Sequence, residues 1–153
     1  MSAAALEEVS RKLRELYAAV LSAERRFAPS GAGLELLDRL VNDPAWAWLR
    51  PLSSLIAEVD HALAQPAELS SAEGAAAAAH IRGFIFGEGD HVDDAFLTHY
   101  RSLLQLDHAL ASTHGELRKV LRALPDESLN ESERLHARHQ WAMRRKHRPE
   151  GRS

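Results

Sequence analysis

Cysteine is absent from this chain of 153 residues, which excludes disulfide bonds, thiolate metal sites and cysteine nucleophiles. No apolar run approaches the roughly 20 residues that a membrane-spanning helix needs, so no membrane contact is expected. The N-terminal MSAAALEEVSRKL carries acids where a signal peptide carries bases, and it has no uninterrupted apolar core. These absences favour a soluble cytoplasmic protein.

Strand signals and catalytic motifs are missing as well. The chain has no alternating β-branched run and no Asn-Gly or Asp-Gly hairpin turn. It contains neither a phosphate-binding G-x-x-x-x-G-K-[ST] loop nor a G-x-G-x-x-G fingerprint, and none of its serines stands in a glycine-framed turn. The sequence therefore favours a helical protein that is not an enzyme.

Helical periodicity runs through most of the chain. Apolar residues at steps of three and four predict helices over about 2–27, 32–42, 44–65, 70–87 and 92–124, with a kink or a fresh helix start at Pro51. The last of these helices is the longest, and Pro125 ends it. The pattern predicts an all-α, up-down helical bundle of about four main helices plus the short helix 32–42.

Charge divides the chain into two parts. Residues 134–153 hold seven Arg or Lys against one acid, a net charge of +6, whereas residues 1–133 carry −9. The last part also has few apolar residues. We therefore predict a bundle domain over 1–125 and a basic tail over 126–153, marginally helical from about 128 to 145 and then disordered.

Two histidines are the first candidates for a ligand site. His99 occupies a core-type position between Phe96 and Leu103, and His80 lies at the edge of the apolar face of the preceding helix. The two helices are expected to be antiparallel, which brings both imidazoles to about the same height in the bundle. Such a pair is able to bind haem iron or a divalent metal. The alternative is that each is an interior histidine bonded to a neighbouring polar group.

Tyr100, Asp107 and His114 follow one another at intervals of seven residues. On one continuous helix they form a half-exposed row beside the core. Because successive members are two turns apart, Asp107 and His114 are not expected to touch each other.

Glu58 and His61 form the Glu-x-x-His pattern that di-iron bundles use, because this spacing places both side chains on one helix face. About 0.8 such pairs arise by chance in a chain of this composition. The pair also shares its face with polar residues and lies opposite Leu52 and Ile56, so we expect it to face water. A metal site here is the weaker alternative.

Trp141, Arg144, Arg145 and Lys146 lie together in the basic tail. Arginine and lysine neutralise phosphates, and an exposed tryptophan stacks on a base, so nucleic-acid association is a further alternative. Against it, the body is acidic and no recognition-helix motif precedes the tail. A tail of this kind is more often a solvated terminus, or it folds back on its own acidic domain.

The segment NDPAWAWLRPLS, residues 42–53, resembles a segment of an uncharacterised family of small, all-helical bacterial proteins. The likeness extends over about 11–63 and, more faintly, 97–124, and it implies a helical fold but no activity. The leading hypothesis is therefore a non-enzymatic interaction or structural module. Apolar residues on two adjoining stripes of the longest helix (96/103/110 and 97/100/104) exceed what one neighbour covers, which predicts a homodimer or another protein partner.

Overall fold

The computed structural model describes residues 3–27, 44–89, 92–124 and 130–146. These ranges contain the α-helices α1 (Ala3–Phe27), α2 (Arg50–Leu63), α3 (Ser71–Phe86), α4 (Asp94–Leu106), α5 (His108–Arg122) and α6 (Glu131–Lys146). They contain no strand, and the helices pack on one another, so the predicted all-α bundle is confirmed. None of these helices is long and apolar enough to cross a membrane. The predicted short helix 32–42 lies outside the described residues.

Helix α1 is the helix around which the bundle packs. The apolar stripe predicted for it is buried at Leu6, Val9, Leu13, Leu16, Val20 and Ala23, whereas its last residue, Phe27, is 41% exposed. This stripe packs against α2, α3, α4 and α5. A stripe with 3-4 spacing covers one helix face, so its burial positions the surrounding helices.

Proline sets where α2 begins. Pro44–Leu49 forms a 3-10 helix, and α2 then starts at Arg50 with Pro51 in its first turn. The first helical positions lack backbone acceptors in any case, so proline is tolerated there. Of the two predicted arrangements, a kink or a fresh start, the structure shows the fresh start.

Both ends of α3 carry residues that are typical of helix termini. The Ser70 hydroxyl accepts a hydrogen bond from the Glu73 backbone N–H at 3.0 Å, which caps the N-terminus. At the other end Gly87 adopts φ 73°, a left-handed conformation that an L side chain rarely takes. Its N–H still donates to the Gly83 carbonyl at 3.0 Å, and its left-handed conformation ends the helix there.

The single long helix predicted over 92–124 is wrong, because the chain breaks at Asp107. This residue is extended (φ −115°, ψ 111°), and its carboxylate accepts a hydrogen bond from the Leu110 N–H at 2.9 Å. The break separates α4 from α5 and lets the two helices pack on each other. The spacing of apolar residues at three and four positions continues across the break, because the buried residues of α4 and α5 belong to one series along the sequence.

The basic segment contains a helix, α6, over Glu131–Lys146. Helix α6 packs against α3, with Ala137 and Trp141 buried. Trp141 is 2% exposed, so its side chain packs closely against its neighbours. Within the described residues the segment is therefore a helix folded back on the acidic body.

Candidate functional site

The most polar junction of the structure lies where α6 crosses α2 and α3. It brings together residues from three separate sequence hypotheses: His80, Glu58, and the tail residues Trp141, Arg144 and Arg145. We call the acceptors Glu58, Glu73 and His80 the docking groove. Each of them receives a hydrogen bond from a side chain of α6.

At the centre of the junction, the Trp141 Nε1–H donates to His80 Nδ1 at 3.0 Å, and both residues are buried. The two rings meet edge to face with centroids 6.2 Å apart. An indole N–H only donates, so His80 Nδ1 acts as an acceptor and carries no proton while α6 is docked. The hydrogen bond therefore joins α6 to α3 through two buried side chains.

Two ion pairs flank this hydrogen bond. Arg144 Nε lies 2.8 Å from Glu73 Oε2 on α3, and Arg145 Nε lies 2.8 Å from Glu58 Oε2 on α2. Successive helical residues point about 100° apart, so adjacent arginines reach two different helices. The Glu73 and Glu58 side chains are only 6% and 11% exposed, which strengthens both attractions.

Glu73 is the member of this junction that sequence reasoning missed. Its position in Ser70-x-x-Glu73 marks it as a capping residue, and its side chain is instead turned to Arg144. A signal was present in the sequence. It is the only acid between Ser70 and Gly87, inside an alanine-rich helix that otherwise serves close packing.

Glu58 and His61 do not form the solvent-facing pair that the sequence predicts. Helix α6 covers Glu58 and holds it with Arg145. His61 is half-buried and lines an open cleft of about 400 Å³ together with Glu73, His139, Gln140, Met143 and Arg144. The prediction was wrong because it treated the tail as absent from this face.

A cavity of about 280 Å³ opens beside the docking groove. It is lined by Pro51, Ser54, Leu55, Glu58, His80, Phe84, Asp93 and Arg145. Its charged groups are already engaged, since Glu58 pairs with Arg145 and Asp93 accepts the Phe96 N–H at 3.0 Å. The cavity lies at the small end of the volumes that bind ligands, and its polar groups hold the bundle together.

His99 lies in a second junction, which includes neither His80 nor Trp141. Its Nε2 is 3.0 Å from the buried Glu24 Oε2 on α1, and its ring stacks on Trp48 with centroids 4.0 Å apart. The His99 side chain is 40% exposed, so the predicted core position is wrong. Tyr100, one residue on, fills the core instead.

His80 and His99 thus each have a partner within the chain, on different helices. Among the described residues, no group of three or more His, Asp or Glu side chains is placed to hold a metal ion. Binding of haem or a divalent metal by the two histidines stays a prediction.

Nucleic-acid association through the tail also stays a prediction, and the structure adds a condition to it. Trp141 is buried and so does not present its ring for stacking on a base. Arg144 and Arg145 are held by carboxylates, and the Lys146 side chain lies outside the described residues. Stacking of Trp141 on a base therefore requires α6 to leave the docking groove.

Tyr100 and His114 form a third junction, made possible by the break at Asp107. The Tyr100 hydroxyl lies 2.7 Å from His114 Nδ1, although 14 residues of continuous helix would separate them by about 21 Å. Burial raises the pKa of the Tyr100 hydroxyl well above its usual range. Burial, followed by the positive charge of Arg118, lowers the pKa of His114 to about 4.

Both members of this pair are therefore uncharged near neutral pH. The Tyr100 hydroxyl and His114 Nδ1 share one hydrogen bond of 2.7 Å. A general base requires a pKa near the operating pH, and His114 lies well below that range. The pair fastens α4 to α5 and does not assemble a catalytic group.

No family model matches the chain, and comparison with curated proteins and with solved structures gives no match either. The resemblance of residues 42–53 to an uncharacterised bacterial family stays a prediction.

Proposed function

We propose that the protein is a non-enzymatic helical-bundle module that works by association, as a homodimer in the bacterial cytoplasm. One observation carries the non-enzymatic part. The buried polar residues of the described ranges are Ser10, Glu24, Glu73, His80 and Asp107. Each one is bonded to a side chain of another helix: Asp60, His99, Arg144, Trp141 and Arg26, respectively.

Every one of these bonds joins two helices that are distant in the chain. The buried polar groups therefore hold the helices together, and all five are bonded within the protein. The arrangement supports a structural or interaction role.

The positions of the helices determine which apolar residues are available to support a homodimer. Of the two stripes on the predicted long helix, Phe96, Leu97, Tyr100, Leu103 and Leu110 are buried inside the chain, and Leu104 is half-buried. These stripes therefore give little support to a dimer. Leu106, at the end of α4, is 58% exposed, and two further exposed apolar residues, Leu135 at 57% and Met143 at 39%, lie on α6.

Leu135 and Met143 are eight residues apart, about 80° around the helix, so they lie on the same side of α6. The outer side of α6 is thus the apolar surface that supports association with a second copy. It adjoins a cleft of about 550 Å³ that includes Leu135, Ala76, Ala79 and Ala142.

Light scattering of the full chain at tens of micromolar tests the homodimer. We expect a mass of twice the 17.0 kDa of one chain. Leu135→Ser combined with Met143→Ser is expected to weaken the dimer while the helical signal in circular dichroism is kept. A strict monomer at this concentration contradicts the proposal.

A further inference from the structure

Two histidines of the open cleft beside α6 take no part in holding the bundle together. In the described part of the chain, three other histidines are bonded to side chains of neighbouring helices: His80, His99 and His114. Within the same ranges, the rings of His61 and His139 make no hydrogen bond, ion pair or ring contact. Both rings line the cleft of about 400 Å³, His61 from the last turn of α2 and His139 from α6.

Met143 adds a sulfur atom to the lining of this cleft. It lies four residues after His139 on α6, and side chains at this spacing are neighbours on one helix face, with Cβ atoms about 5–6 Å apart. Its side chain is 39% exposed and so does not fill the core. Since methionine is flexible, its thioether is able to turn into the cleft. The cleft therefore combines an imidazole and a thioether from α6 with an imidazole from α2.

The remaining lining decides which ions such a set would favour. Among the described residues of the cleft, Glu73 is the single acid, and Arg144 holds it at 2.8 Å. The ligands that are left bring no negative charge, and the guanidinium of Arg144 repels a divalent cation. Magnesium and calcium require oxygen ligands, and structural zinc sites use four ligands that are rich in thiolate and imidazole. Thioether sulfur, by contrast, favours Cu(I).

We propose that His61, His139 and Met143 form a binding site for the soft monovalent ion Cu(I). The filled d shell of this ion imposes no fixed geometry, so ligands from two helices are able to meet on it. The ion is bound and released as Cu(I), and no electron transfer is involved. This site goes beyond the proposed association, because all three ligands belong to one chain. A bound ion links the end of α2 to α6, close to the ion pair of Glu58 with Arg145.

The scarcity of sulfur makes the site easy to identify. The chain has no cysteine, and its two methionines are Met1 and Met143. The full chain is titrated with Cu(I) under anaerobic conditions, in competition with bicinchoninate, and the loaded protein is examined by X-ray absorption at the copper edge. We expect one ion per chain with sulfur among its nearest neighbours. In Met143→Leu this sulfur is lost, while the size and apolar surface of the side chain are kept.

His61→Ala and His139→Ala test the two nitrogen ligands, one on each helix. Even a residue that only positions a metal ligand contributes about 10–100-fold to metal affinity, so loss of a ligand is expected to weaken Cu(I) binding at least about tenfold. His136→Ala is the matched control, because His136 is exposed on α6 and is not among the residues that line the cleft. It is expected to bind Cu(I) as the wild type does, and circular dichroism checks that each variant keeps its helices.

Equal Cu(I) affinities of the wild type, His61→Ala and Met143→Leu overturn the proposal, and so does a copper spectrum without sulfur. Displacement of Cu(I) by an equal concentration of Zn²⁺ also contradicts it, because the ligand set then does not distinguish a soft ion. The homodimer is judged separately from the mass in light scattering. Because leucine keeps the apolar surface at position 143, the mass of Met143→Leu does not depend on whether the metal site exists.

Discussion

The Tyr100–His114 pair predicts a specific loss of stability in acid. The pKa of His114 is lowered from 6.5 to about 4, first by burial and then by the positive charge of Arg118. The unfolded chain therefore binds more protons than the folded protein between these two values. The stabilisation is complete above pH 6.5 and is lost as the pH falls toward 4.

The size of the effect follows from the shift and the exposure. A displacement of this size corresponds to about 3 kcal/mol for a fully shielded group. Because the His114 ring is only half-buried, solvent screening reduces the expected loss to about 1–2 kcal/mol. The Tyr100 oxygen also accepts hydrogen bonds, so a protonated His114 keeps a partner, which places the effect toward the lower value.

The assay is urea unfolding, followed by circular dichroism, at several pH values from 7 to 4. His114→Asn is the informative variant, because its amide oxygen takes the place of Nδ1 as acceptor and does not titrate. We expect the wild type to lose about 1–2 kcal/mol more than His114→Asn over this range. His108→Asn, on the exposed side of the same helix, controls for the change of residue type.

Parallel pH curves for the wild type and His114→Asn would refute the reasoning. They would mean that the folded protein protonates His114 as easily as the unfolded chain does. A larger loss in the variant than in the wild type is equally incompatible with it.

Two further predictions concern the helix break and the rival function. Asp107→Ala removes both the cap on the Leu110 N–H and the ion pair with Arg26, so we expect the free energy of unfolding in urea to fall by about 1–3 kcal/mol. Asp107→Asn keeps the cap, so its loss is expected to be about 1 kcal/mol or less. Equal losses in the two variants would show that capping does not hold the helix break. Titration of the protein with haem, Zn²⁺ and Fe²⁺ is expected to give no Soret shift and no rise in melting temperature, and a response that disappears in both His80→Ala and His99→Ala would replace the proposed function with ligand binding.

Local patterns in the chain predicted the elements whose determinants are themselves local. From Leu6 to Ala23 the α1 stripe is buried as its spacing predicts, because a 3-4 repeat selects one face of a helix whatever it packs against. The cap at Ser70 and the stop at Gly87 depend on residues within one turn of each helix end. Such features are readable without knowing the neighbours.

The break at Asp107 was missed for a physical reason. The apolar period of α4 continues into α5, so periodicity alone does not separate two helices from one. What decides the break is the carboxylate, which caps Leu110 and is neutralised by Arg26 from α1, 81 residues away. That partner is not visible from the local sequence.

His99 and Tyr100 show the same limit on a smaller scale. They are adjacent, about 100° apart on the helix, and the apolar stripe alone does not say which of them is rotated into the core. The choice depends on the orientation of α4 against α1, where Glu24 binds His99 at the edge. Tyr100 then meets His114 across the helix break.

By itself, the sequence determined that the chain is helical, where most of its helices begin and end, and that an acidic body is followed by a basic segment. Only the tertiary structure decided where that segment goes. The bonds that hold α6 join Glu58 to Arg145 and His80 to Trp141, residues 87 and 61 positions apart. Their formation depends on three helices meeting at one place, because a buried charge or imidazole is stable only where a partner is supplied. No pattern along a single helix carries that information.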